Sequence, residues 1–135
     1  MIVLSNTIAQ TLAPGQSLTF DTVMMHTGCA ECHRNNSGAV ILRAEKAIYE
    51  IQFGANIGAE APGDAQLSIG VSGVPLPETT MISATAAAGD LNNVSADTAV
   101  RTCCGSGGES VVITNTGTTT ITVGANPCLF IKRVA

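Results

Sequence analysis

Ala47-Ile48-Tyr49-Glu50-Ile51-Gln52-Phe53-Gly54-Ala55-Asn56-Ile57 is the stretch that decides the fold. Ala47, Tyr49, Ile51, Phe53, Ala55 and Ile57 share one face, and Glu50, Gln52, Gly54 and Asn56 lie opposite. A period of two sustained over residues 47–57 is the mark of a half-buried β-strand, because successive side chains leave a strand on opposite sides. Such a strand needs neighbours along both edges and a second layer over its apolar face.

The rest of the chain supplies candidates. In 17–23 Leu18 and Phe20 point one way, Thr19 and Asp21 the other. In 65–73 Leu67, Ile69 and Val71 face inward, and 94–102 alternates again through Val94, Ala96, Thr98, Val100 and Thr102. Segments 109–117 and 128–135 are rich in β-branched residues and read as buried strands. Turn signals separate these runs: Ala-Pro-Gly-Gln at 13–16, Asn-Asn-Ser-Gly at 35–38, Ala-Pro-Gly-Asp at 61–64, Cys-Gly-Ser-Gly-Gly at 104–108, Asn-Thr-Gly at 115–117 and Ala-Asn-Pro at 125–127. The one helix candidate, 84–90, is too short to compete. The pattern predicts an all-β sandwich of about eight to ten antiparallel strands in a single domain over 1–135.

Charged residues make up 12% of the 135-residue chain, about half the usual share. Mean hydropathy is +0.33, yet no run approaches the roughly 20 apolar residues of a membrane helix. Sparse charge on a domain of this size implies that other subunits cover part of its surface. The net charge is −4, and Arg34, Arg43, Lys46, Arg101, Lys132 and Arg133 form no basic run. Phe20, Tyr49, Phe53 and Phe130 are the only aromatic residues. Neither a basic footprint nor a stacking platform for nucleic acid is visible. The first residues lack the charged and apolar regions of a secretory signal, so a chain made in the cytoplasm and carried out on an assembly is expected.

His26-Thr27-Gly28-Cys29-Ala30-Glu31-Cys32-His33 is the segment richest in chemistry. It contains the Cys-x-x-Cys-His spacing of c-type haem attachment, but haem also needs an apolar pocket and a second axial ligand, and no haem is expected. The spacing admits zinc, with His26, Cys29, Cys32 and His33 joined by Cys103 and Cys104. The preferred alternative is one or more disulfides between the loops at 29–32 and 103–104, since four of five cysteines fall in those two segments. Glu60 and Asp64 flank a Pro-Gly turn and read as solvated carboxylates before they read as calcium ligands. No nucleophile with a base and an orienting group is evident, and Gly105–Gly108 lacks the Lys-Ser/Thr of a phosphate loop. No catalytic residue is therefore expected.

The closing strand is apolar on both faces: Cys128, Phe130 and Val134 on one, Leu129 and Ile131 on the other. A two-layer sandwich offers each strand only one inward face. The second face implies a subunit interface, which the sequence reading assigns to Leu129 and Ile131, with Cys128 buried.

Five segments carry a family resemblance: 18–23, 39–57, 67–83 with its Ser-Gly-Val-Pro-Leu-Pro at 72–77, 110–117 and 129–135. In this order they resemble the globular C-terminal domain of the collagen-like exosporium glycoproteins of spore-forming bacteria, a tumour-necrosis-factor-like and complement-head-like jelly roll. The resemblance implies a ten-stranded jelly roll, a homotrimer about a three-fold axis and no enzymatic activity. Relatives of that kind sit on spore filaments or phage particles. The chain departs from them in its Cys/His-rich loop and in having no collagen-like stalk. The expected function is a structural or display module on a virion (capsid decoration or fibre head) or a spore filament, within a larger assembly. Two alternatives stand beside it: a receptor- or ligand-binding trimeric head, and a structural metal-binding protein using the Cys/His loop.

Overall fold

A computed structural model of the chain describes residues 1–34, 36–103 and 108–135. Thirteen strands run through them: β1 (Ile2–Ser5), β2 (Gln10–Leu12), β3 (Thr22–His26), β4 (Glu31–His33), β5 (Val40–Leu42), β6 (Ile48–Ala59), β7 (Gly63–Val71), β8 (Val74–Pro75), β9 (Met81–Thr85), β10 (Asn92–Arg101), β11 (Glu109–Thr114), β12 (Ile121–Val123) and β13 (Cys128–Arg133). The number exceeds the expected eight to ten because several elements are ladders of only two or three residues. A single 3-10 turn at Pro77–Thr79 is the one helical element among the described residues.

The strands form two antiparallel sheets. The first runs β2-β12-β6-β13-β1-β3, with β10 on the other edge of β6; the second runs β4-β5-β11-β7-β8, with β9 also on β7. The predicted central strand is β6. Its alternation holds: Tyr49, Ile51, Phe53, Ala55 and Ile57 are buried, while Gln52 and Asn56 are exposed. Opposite them the second sheet presents Val40, Leu42, Leu67, Ile69, Val111 and Ile113, all fully buried. The arrangement is the two-sheet jelly roll that the sequence predicts.

Two turns follow from backbone chemistry. Ser72 and Gly73 both have positive φ, 52° and 84°, and close the hairpin from Val71 to Val74. Two left-handed residues give the turn whose twist matches that of its strands. At Gly58 the chain passes so close to the loop before β10 that an added Cβ would run into the carbonyl oxygen of Asp90.

The segment 17–23 departs from the expected strand. Ser17 makes one bridge to Thr114 in the second sheet, and ladder pairing with β1 begins only at Thr22. Between them the chain changes sheets. The buried Asn6 side chain holds the crossing: its amide donates to the Thr19 carbonyl at 2.6 Å, and its oxygen accepts from the Asp21 N–H at 2.8 Å. Leu18 and Phe20 point into the core as expected.

Register corrects the interface expected at the closing strand. Leu129 pairs with Phe53 and Ile131 with Ile51, so both lie on the core face and are fully buried within one chain. Cys128, Phe130 and Lys132 pair with Gly54, Gln52 and Glu50 and point outward. Cys128 is exposed, contrary to the sequence reading. Alternation separates the two faces of a strand but does not say which one meets the second sheet.

Gly58→Ala is expected to destabilise the fold by about 1–3 kcal/mol, since backbone on both sides must move to admit a methyl group. Urea denaturation of the variant against the parent chain checks this.

Candidate functional surfaces

The Cys/His residues gather at one end of the sandwich. Glu31, the first residue of β4, and Glu109, the first of β11, both pair with Leu42 at the end of β5. The starts of β4 and β11 therefore lie at the same end, beside the loop 43–47. Thr102 ties that end together: its N–H donates to the Ala47 carbonyl at 2.9 Å and its hydroxyl to the Ala44 carbonyl at 2.6 Å. The fully buried Tyr49 adds a second tie, donating to the Ala30 carbonyl at 2.8 Å and accepting the Ala44 N–H at 3.1 Å.

Cys29 and Cys103 are exposed there and Cys32 is half-buried, and no disulfide joins the three among the described residues. Cys104 lies outside the described residues. Both imidazoles are engaged with backbone. His26 Nε2 lies 2.9 Å from the Glu31 carbonyl oxygen. His33 places Nδ1 3.2 Å from the Ala39 carbonyl oxygen and Nε2 3.4 Å from that of Phe20. Among the described residues no three His, Cys, Asp or Glu side chains converge as a metal site. Of the proposed zinc ligands, the fold thus brings Cys29, Cys32 and Cys103 to one end and occupies His26 and His33 elsewhere. Beneath this loop the Glu31 carboxylate is buried. One oxygen meets the Met1 amino group at 2.9 Å, and the other has no partner.

The second surface is the outer face of the first sheet. Met25 pairs with Val3, Val3 with Phe130 and Phe130 with Gln52, so these four form one outward-facing row across β3, β1, β13 and β6. Phe130 and Val3 are half-buried, while Met25 and Cys128 are exposed. Beside Phe130 lies a depression of about 410 Å³, walled by Gln52, Ser95, Asp97 and Cys128, where Gly54 has no side chain to fill it. Sequence reasoning assigned the other face of β13. A glycine among the outward residues of an otherwise regular strand was the available signal for this dent.

Charge is also arranged by the fold. Asp21, half-buried, accepts hydrogen bonds from the Thr22 and Thr7 hydroxyls at 2.7 and 2.9 Å. The Thr22 bond foremost, with the Thr7 bonds, holds its carboxyl below the ordinary carboxylate value.

No protein-family model matches the chain, and no curated protein matches it. Solved structures do resemble it. Eiger TNF from S. frugiperda superposes with a TM-score of 0.71 at 8% identity, covering 99% of this chain and 91% of that one. Murine APRIL superposes with a TM-score of 0.66 at 10% identity, covering 98% and 97%. At such identity the likeness is one of fold, a tumour-necrosis-factor-like jelly roll.

Tyr49→Phe removes the hydroxyl that joins Ala30 to Ala44. It is expected to cost about 1–3 kcal/mol, because the half-buried Ala44 N–H loses its acceptor and the Ala30 carbonyl its donor. The loss is read as a shift of the urea midpoint with an unchanged slope.

Proposed function

We propose that this chain is a non-enzymatic jelly-roll head that assembles as a homotrimer. The observation that carries the reading is the apolar outer row of the first sheet, Met25, Val3 and Phe130 with Cys128 beside it, on a sandwich whose core is already complete without it. A side chain as large as Phe130 facing away from a filled core needs a second partner. A three-fold contact is heterologous: one surface meets a different surface of the next copy. The free edge of β10 supplies the second surface. Among the described residues it pairs only with β6, so its other edge is open to a neighbouring copy. Covering that edge also removes a strand open to unwanted pairing. The low charge of the chain, 12%, supports the same reading.

Light scattering at micromolar concentration is expected to give three times the chain mass of 13.7 kDa. Phe130→Glu is expected to yield a folded monomer, with the circular dichroism of the parent. A monomeric parent chain, or a Phe130→Glu variant that stays trimeric, overturns the interface.

The setting proposed is the surface of a phage virion or a bacterial spore filament, supported by the sequence resemblance to display domains. A tie between the two cysteine-bearing loops belongs to this reading, supported by the starts of β4 and β11 both pairing with Leu42. Cys29 is better placed for it than Cys32, which stands on β4 opposite Ile41, with Ser110 across β5. Two strand spacings, roughly 9–10 Å, separate Cys32 from β11, more than a disulfide spans between Cα atoms. Under denaturing conditions, fewer than five reactive thiols are expected without reductant and chelator, and five with both. Five reactive thiols without either reagent disprove the tie.

A further inference from the structure

Two exposed side chains of opposite charge stand on the outer face of the first sheet. Asp97, on β10, is level with Gln52 and Phe130 and helps wall the depression beside Phe130. Lys132 follows Phe130 by two residues on β13, on the same face and opposite Glu50. Among the described residues the one ion pair joins the Met1 amino group to Glu31 and involves neither of them. Within one chain, two strand spacings and one ladder step separate Asp97 from Lys132, roughly 12 Å between Cα atoms. The two charges therefore flank the apolar row without meeting.

Strands β10 and β13 both run antiparallel to β6, and so parallel to each other. In the proposed contact the β10 edge of one copy meets the apolar row of the next. A three-fold rotation about an axis along these strands keeps every residue at its own height. It brings Asp97 level with Val3 and Phe130 of the next copy, because Asp97 belongs to that row in its own sheet. Lys132 of the receiving copy is then one ladder step away, roughly 7 Å along β13, and its four-carbon stem spans that distance. Glu50 stands one strand further from β1 and accepts the Gln52 amide at 2.7 Å. A carboxylate laid on the apolar row without a cation would lose part of its hydration and gain no counter-charge. Of the outward residues of β13, Cys128, Phe130 and Lys132, only Lys132 can supply one.

We infer, resting on the trimeric reading above, that Asp97 of each copy pairs with Lys132 of the next, and that this pair fixes the height and direction of the contact. At the rim of an apolar contact such a pair contributes little attraction, while like charges set together there are costly. The pair therefore acts mainly by excluding other placements of the β10 edge on the outer face.

The test is dissociation of the full chain on dilution, followed by analytical ultracentrifugation at about 50 mM salt, for the parent, D97K, K132D, the double variant D97K/K132D and K46D. Each reversal at Asp97 or Lys132 sets like charges across every contact of the ring. It is expected to raise the concentration of half-dissociation at least about tenfold. The double variant restores opposite charges in every contact and is expected to return to within about threefold of the parent. K46D changes the net charge as K132D does, at an exposed position on the loop 43–47, and is expected to dissociate as the parent does. Circular dichroism melts confirm that each variant is folded, and the exposure of all three positions favours this. A monomeric parent overturns the trimer itself. With a trimeric parent, single reversals that dissociate as the parent does overturn the Asp97–Lys132 pair and leave the trimer standing. So does a double variant no better than the single ones, or a loss in K46D equal to that in K132D.

Discussion

Strand β6 is the constraint on which everything else depends. Along one edge it pairs with β10 from Ile48 to Ile57; along the other it pairs with β13 and then β12. Its inward side chains form the middle of the core, and its register assigns a face to every residue of the strands beside it. Once Phe53 is inside, Leu129 and Ala96 are inside with it, and Cys128 and Ser95 are outside with Gly54. One alternating segment therefore sets both the buried chemistry and the exposed surface of the first sheet.

How much of this was legible depends on the range of each signal. The alternation of 47–57 is local, because a polar or apolar side chain declares its face wherever the strand sits. The Ser72-Gly73 hairpin is local too, since two left-handed residues are needed where the strands turn back. The crossing at 17–21 was not legible. Leu18 and Phe20 alternate as a strand residue would, and only the distant Asn6 shows that the backbone there is passing between sheets. The closing strand failed for the opposite reason. Both its faces are apolar, and the choice between them lies in a pairing with residues about eighty positions earlier. The gathering of Arg43, Lys46, Arg101, Lys132 and Arg133 at one end of β6 is invisible in sequence because they lie in three segments far apart along the chain.

The two surfaces that result are chemically distinct. The outer row through Val3 and Phe130 is apolar and lies across the sheet. The other surface lies at the strand ends, where the exposed Arg43, Lys46, Arg101, Lys132 and Arg133 reach into water. Tyr49 links them: its ring fills the core beneath the sheet, while its hydroxyl joins the backbone of Ala30 and Ala44, which floor the depression between Arg43 and Arg133. The shape of the cationic end is thereby set by the same core that supports the apolar face.

The placement of β13 between β6 and β1 has a consequence for how the chain is born. Residues 128–133 pair with residues 49–54 on one side and 2–4 on the other. Until the ribosome has delivered them, the long edge of β6 has no neighbour over its first half and β1 has no sheet to join. Nascent chains of this protein must wait with an open ladder and an uncovered apolar face, and the first sheet can close only after residues 128–133 have been made. Contacts so distant in sequence are slow to form. The interval before they do is when a partly made chain is most exposed to pairing with another copy of itself.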